Sequence, residues 1–217
     1  MNKIFTLVLV SFLSFSAFSQ WNSITTVNNV VCDTLSDVAN GTKQEVTIVK
    51  NPQHFTYIIW TELRAGGALP NIYIQKLDKD GVRQFGLQGL PVCEHLFNKA
   101  NLQIINDGLG GVIVAWVDGR IAANGNDVYY QRIDATGNQI YGNGFNAARD
   151  SLQRSQINPK LELLDNTYFT IVWEDARGNI GTNQNRRDLY CNKFNISDGS
   201  KPTGFILEKR LTDNISI

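Results

Sequence analysis

The chain has 217 residues with 20 basic and 20 acidic side chains, so its formal charge is zero. A neutral chain has no basic stripe with which to track phosphates, which argues against nucleic-acid binding. Charged residues make up 18% and hydrophobic residues 42%, a balance that excludes a disordered, charge-rich tail protein. The 23 asparagines and 18 glycines point to many turns and few helices.

Lys3 gives the N-terminus a positive charge, and residues 4–15 are apolar apart from Thr6, Ser11 and Ser14. That run is too short to span a bilayer as a helix. Ala17-Phe18-Ser19 places small residues where signal peptidase needs them. Residues 1–19 therefore read as a signal peptide, cleaved before Gln20, and the product as secreted or cell-surface. No cysteine follows to carry a lipid, and no later segment is apolar enough to be transmembrane. Three cysteines in an exported chain, Cys32, Cys93 and Cys191, cannot all pair. They read as small buried hydrophobes, and no disulfide is predicted.

One unit recurs three times over residues 20–217. Its first half is Trp60-Thr61-Glu62-Leu63-Arg64, Trp116-Val117-Asp118-Gly119-Arg120 and Trp173-Glu174-Asp175-Ala176-Arg177. Its second half is Asn71 to Asp78, Asp127 to Asp134 and Asp188 to Asn195. The tryptophans recur at intervals of 56 and 57 residues. The shared pattern is W-x-[DE]-x-R, a loop, then [ND]-[ILV]-Y-x-[QN]-[KR]-[ILF]-[DN]. Each unit reads as four strands. Strand A is Val46–Val49, Leu102–Ile105 and Leu161–Leu164; strand B ends in the Trp motif; strand C carries the Tyr motif. Strand D is expected at Val82–Phe85, Asn138–Tyr141 and Phe205–Lys209, after a turn with glycine at 81, 137 and 199.

A four-stranded unit of this size cannot bury both faces alone, and radial stacking of such units makes a propeller. The expected fold is an all-β, β-propeller-like array of four-stranded antiparallel blades, over about 45–93, 101–150 and 158–212. Residues 21–33 read as a leading strand D, because Val31-Cys32-Asp33 resembles Val92-Cys93-Glu94. Asn214 to Ile217 resembles the start of a further strand A. The reading is thus about three and a half repeats in an incomplete ring, and a fragment of a longer product; its rival is a ring closed by oligomerisation.

Side chains at i, i+2 and i+4 of a strand share a face. Glu62 and Arg64, Asp118 and Arg120, and Asp175 and Arg177 are therefore the candidate site residues. Their structural reading is cement between blades. Their binding reading is a rim of carboxylates and guanidiniums that contacts an anionic or sugar ligand. The B–C loops, 65–70, 121–126 and 178–187, vary most, and variable loops on a repeated scaffold are where binding resides. Lys76, Arg132 and Lys193 fall on the opposite face from the Tyr and Gln of strand C, a face expected to be partly wet. His54 and His95 have no partner at metal or triad spacing. No metal, cofactor or catalytic residue is assigned, and a pair of glycosidase carboxylates needs no local motif.

The repeat resembles those of secreted and surface Bacteroidetes-type proteins. There, units ending in W-x-D-x-R and D-[IV]-Y-x-Q-[RK]-[IL]-D-x-x-G recur, usually ahead of a type IX secretion sorting domain. The second unit matches best, through Asp107-Gly108-Leu109-Gly110-Gly111, Trp116, Asp118, Arg120, Tyr129, Gln131, Asp134 and Gly137. Asp33-Thr34-Leu35 and Asp150-Ser151-Leu152 resemble the O-glycosylation triplet of that group. Sialidases share the architecture, but their S-x-D-x-G-x-x-W box does not occur here. The resemblance implies the fold more than an activity; the preferred reading is an exported, non-enzymatic propeller module for surface adhesion or ligand or glycan binding, with an extracellular glycan or protein as partner. The alternative is the N-terminal part of a carbohydrate-active propeller enzyme, glycosidase or sialidase-like.

Overall fold

The computed structural model describes residues 30–33, 43–64, 67, 69–95, 97–121, 125–148, 155–176, 187–203 and 209–210. The expected signal peptide, most of the expected leading strand, Arg177 and residues 211–217 lie outside them. Every regular element among the described residues is a strand. The first sheet holds β1 (Lys43–Lys50), β2 (Thr56–Glu62), β3 (Asn71–Leu77) and β4 (Leu90–Cys93). The second holds β5 (Lys99–Asn106), β6 (Val112–Asp118), β7 (Asp127–Ile133) and β8 (Phe145–Asn146). The third holds β9 (Gln156–Leu163), β10 (Tyr168–Asp175), β11 (Asp188–Asn195) and β12 (Lys209–Arg210). All pairings are antiparallel between sequence neighbours. β1 packs beside β5, and β5 beside β9. The first strand of each sheet is therefore innermost and the fourth outermost, as in propeller blades.

Two apolar layers weld the sheets together. Tyr57, Ile59, Ile72 and Ile74 of the first sheet meet Leu102, Val112, Val114 and Trp116 of the second. Ile113, Ala115, Val128 and Tyr130, on the other face of the second sheet, meet Phe169, Ile171, Trp173 and Phe194 of the third. This explains why β6 is buried at every position while β10 is buried only at alternate ones: a strand between two sheets must be apolar on both faces. Buried hydroxyls pin the layers. Tyr57 donates to Gly110 O at 2.7 Å, and Tyr130 to Gly199 O at 2.7 Å.

Strand D is the correction. Val82–Phe85 and Asn138–Tyr141 make only single bridges, Leu77 to Arg83 and Ile133 to Gln139. The fourth strands begin later, at Leu90 and Phe145. The intervening aromatic residues, Phe85 and Tyr141, leave the sheet plane to enter the interblade core, at 7% and 1% exposure. Gly86 and Gly89, like Gly142 and Gly144, take positive φ to bring the chain back. The glutamine of the Tyr motif holds this detour in place. Gln131 Oε1 accepts from Arg132 N (2.9 Å) and Tyr141 N (2.7 Å), while its Nε2 donates to Gly142 O (2.6 Å). Gln75 makes the same bonds to Lys76 N, Phe85 N and Gly86 O.

Residues 30–33 run without strand structure against the first sheet. Gln75 Nε2 donates to Val31 O at 3.2 Å, as Asn192 Nδ2 of the third sheet donates to Ala147 O at 2.9 Å. This segment therefore stands to the first sheet as the β8 end stands to the third. The face of strand C expected to be partly wet is so at Arg132 and Lys193, which are half-buried, but is dry at Lys76. Lys76 is 8% exposed, with Nζ 4.0 Å from the Phe55 ring centre and donating to Ala135 O of the next sheet. Arg132 Nε pairs with buried Asp107 at 2.7 Å. No disulfide joins Cys32, Cys93 and Cys191; Cys93 is buried as expected, and the other two are half-buried.

Candidate functional site

The residues of the repeated W-x-[DE]-x-R motif come together, strand by strand, as the face argument requires. Trp116 Nε1 donates to Asp118 Oδ2 at 3.0 Å, and Arg120 Nη2 donates to the same oxygen at 2.6 Å. The Arg120 guanidinium lies 3.8 Å from the Tyr129 ring centre. In the first sheet Trp60 and Arg64 share Glu62 Oε2 at 3.0 and 3.1 Å, and Arg64 lies 3.4 Å over Tyr73. In the third, Trp173 Nε1 donates to Asp175 Oδ2 at 3.0 Å. Burial pushes the Glu62 and Asp118 carboxyls up, but the indole and guanidinium hydrogen bonds outweigh it and hold both below their ordinary values. Burial raises the phenols of Tyr73 and Tyr129 despite the arginines beside them.

These carboxylates are thus engaged internally. Glu62 is 5% exposed, and Asp118 and Asp175 are fully buried. The arginines reach outward to the backbone of the C–D connection, Arg64 to Gln88 O and Arg120 to Asn143 O, and Arg120 also to Cys93 Sγ. The geometry is that of a clamp holding strands B and C to the outer edge of the blade.

A second set of equivalent positions carries more accessible chemistry. Each innermost strand has a register shift near its start, between Gln44 and Thr47, Ala100 and Gln103, and opposite Val172–Glu174 on β9. One non-glycine residue in each shift adopts the left-handed region: Glu45 (φ 51°), Asn101 (φ 54°) and Asn158 (φ 54°). All three are exposed. Asparagine tolerates this conformation; glutamate does so at a cost of about 1–2 kcal/mol. β-Bulges re-aim side chains and gather next to binding sites. Here they turn three polar residues outward along the edge nearest the axis. Asn158 Nδ2 donates to Glu174 Oε1 at 2.9 Å, which brings a second carboxylate to that edge. The same ends of the strands carry Lys43, salt-bridged to Glu62 at 3.0 Å, and Lys99, whose Nζ bonds Asn71 Oδ1 and Phe97 O.

The sequence reading missed this set, although its signal was present. Glu45, Asn101 and Asn158 stand at the same 56- and 57-residue intervals as the tryptophans. Polar residues inside an apolar strand at a fixed repeat position mark a bulge. Among the described residues, no group of three or more His, Cys, Asp or Glu side chains is placed to hold a metal ion, and no helix is long and apolar enough to cross a membrane.

No family model matches the chain, and no curated protein does. Solved structures do. An endo-arabinase from Bacteroides thetaiotaomicron superposes with a TM-score of 0.51 at 14% identity, over 84% of this chain and 67% of that one. An α-L-arabinanase from Penicillium chrysogenum, complexed with arabinobiose, gives 0.53 at 15% identity, over 77% and 50%. An α-L-arabinofuranosidase from Fusarium graminearum, complexed with an iminosugar inhibitor, gives 0.53 at 10% identity, over 79% and 51%. The chain is a β-propeller array. It spans between half and two thirds of the length of these structures.

Proposed function

We propose that this chain is an exported propeller module that engages extracellular glycan at the bulged ends of its inner strands. One observation carries the reading: three repeat-equivalent bulges turn exposed Glu45, Asn101 and Asn158 toward one edge. Carboxylates and carboxamides supply the acceptors and donors that sugar hydroxyls need. The carbohydrate-active proteins that share the architecture add support. The same reading places the module at the cell surface, in keeping with the signal-peptide pattern of residues 1–19.

Hydrolysis is the second reading, and the glycosidases that share the architecture favour it. Its candidate carboxylates are Glu45 and Glu174 at the bulged ends of the first and third sheets; the chemistry needs two such groups about 5–10 Å apart across the scissile bond. In that reading one carboxyl protonates the leaving oxygen, while the other acts as nucleophile or activates a water. The deciding experiment incubates the chain with immobilised arabinan, xylan and galactan and follows both retention and release of reducing ends. Retention that falls in N101A and N158A, without turnover, supports binding alone. Turnover that is lost in E45Q and E174Q, with retention kept, makes the chain part of an enzyme. A chain that neither binds nor cleaves any glycan overturns both.

A further inference from the structure

A cavity of about 220 Å³ opens on the outer flank of the array, between the end of β4 and the β7–β8 connection. Cys93, Glu94, His95, Gln139 and Asn143 line it. Comparison with the equivalent place one repeat earlier shows what is unusual. The bridges Leu77 to Arg83 and Ile133 to Gln139 make Arg83 and Gln139 counterparts. The match of Val31-Cys32-Asp33 to Val92-Cys93-Glu94 likewise makes Asp33 the counterpart of Glu94. In the earlier place Arg83 Nη1 closes on Asp33 Oδ1 at 2.7 Å, and Asp33 N bonds Leu87 O at 2.9 Å. In the later one the arginine is a glutamine, which turns to Pro91 O at 2.9 Å. Leu87-Gln88 has become Asn143. The ion pair is gone and a polar hollow stands in its place.

The chemistry of the hollow is specific. Glu94 offers an acceptor, and Gln139 and Asn143 each offer a donor and an acceptor. His95 is held below its ordinary pKa by burial and by Arg120, so its imidazole is neutral at pH 7 and can serve either way. Burial likewise keeps the Cys93 thiol protonated. Behind the wall, Arg120 reaches Cys93 Sγ at 3.3 Å and Asn143 O at 3.0 Å, while its buried Nε has no partner. Its charge is taken up by Asp118. The lining therefore has mixed donors and acceptors and no lysine or arginine side chain, a set that suits hydroxyl groups better than phosphate or sulfate. Its volume lies below the roughly 300–1,000 Å³ of a drug-sized pocket, which limits it to one ring.

We propose that this interblade cavity binds a single neutral sugar residue, as a subsite separate from the bulged inner edge. The proposal rests on the glycan-engaging reading. Residues that break a repeat are the ones its scaffold does not need, and these are candidates for function.

The test uses the isotopically labelled full chain, titrated with arabinobiose, xylobiose and lactose. The expected result is movement of the side-chain amide resonances of Gln139 and Asn143 with at least one of them. Gln139→Arg, which reinstates the ion pair with Glu94, should weaken that binding at least tenfold while leaving thermal stability unchanged or higher. Asn143→Leu, which installs the side chain of the first sheet, should act alike. Undiminished binding by both variants, with retention on polysaccharide intact, overturns the cavity and leaves the glycan reading standing. Failure of the unaltered chain to bind any of the sugars or polysaccharides overturns both.

Discussion

Asp118 shows how a single carboxylate organises a blade. One of its oxygens serves both the indole of Trp116 and the guanidinium of Arg120. Its other oxygen accepts from Arg120 N at 2.8 Å. Replacing Asp118 with Ala strands a buried cation and a buried N–H together, so the expected loss is about 3–5 kcal/mol in denaturant unfolding. Arg120→Lys keeps the charge but loses the planar stack on Tyr129 and the second donor, with an expected loss of about 1–2 kcal/mol. The pH dependence has a definite sign. The folded values of Glu62 and Asp118 lie below their ordinary values of 4.5 and 3.8. Between folded and ordinary values the unfolded chain binds more protons, so stability rises with pH there. Their contribution is complete above about pH 5 and is lost as pH falls through the depressed values. The stability gap between the unaltered chain and Asp118→Asn should therefore shrink below about pH 4, which thermal melts across pH will show.

At the scale of the element, the C–D connection is the part most dependent on close approach. Gly144 has φ +84°, and a Cβ there would meet the Trp116 ring at 2.8 Å. Gly89 repeats this against Trp60, at 2.9 Å. Gly144→Ala combines left-handed strain with overpacking, so about 2–4 kcal/mol of destabilisation is expected, measured by urea unfolding. The inner-strand bulge carries the opposite prediction. Glu45→Asn gives the first sheet the residue of the other two and relieves strain, with an expected gain of about 0.5–1 kcal/mol. If Glu45 serves the glycan edge, that gain comes with weaker retention on polysaccharide or slower turnover. Strain kept at Glu45 where asparagine would sit more easily is what a functional position looks like. The repeat pattern located strands A, B and C because alternation and the Trp and Tyr motifs are local signals. It placed strand D too early because Val82–Phe85 has strand-like composition, whereas Phe85 is drawn out of the sheet by a core that only the next blade completes.

At the scale of the molecule, stacking decides which faces are buried. Leu102 of β5 is 4% exposed under the first sheet, while its counterpart Val46 on β1 is 64% exposed. Ile48 on the same strand is 62% exposed. The sequence writes both positions as apolar because the unit is built to lie beneath another, and the described part of the chain places no sheet over the first one.

The periodic residues by themselves determined the class of fold, the antiparallel four-stranded unit and the pairing of Glu62 with Arg64 and of Asp118 with Arg120. All of these follow from period-two geometry within a strand and from the recurrence of one unit. Tertiary structure decided the rest. It set five of the six expected site residues, Glu62, Arg64, Asp118, Arg120 and Asp175, into clamps at the outer edges of the blades; the sixth, Arg177, lies outside the described residues. It turned Glu45, Asn101 and Asn158 outward, and it opened a hollow where Gln139 and Glu94 replace an ion pair. Those outcomes depend on which face meets a neighbouring blade and where a ladder slips by one residue. Both are settled by contacts between segments dozens of residues apart, which no local pattern encodes.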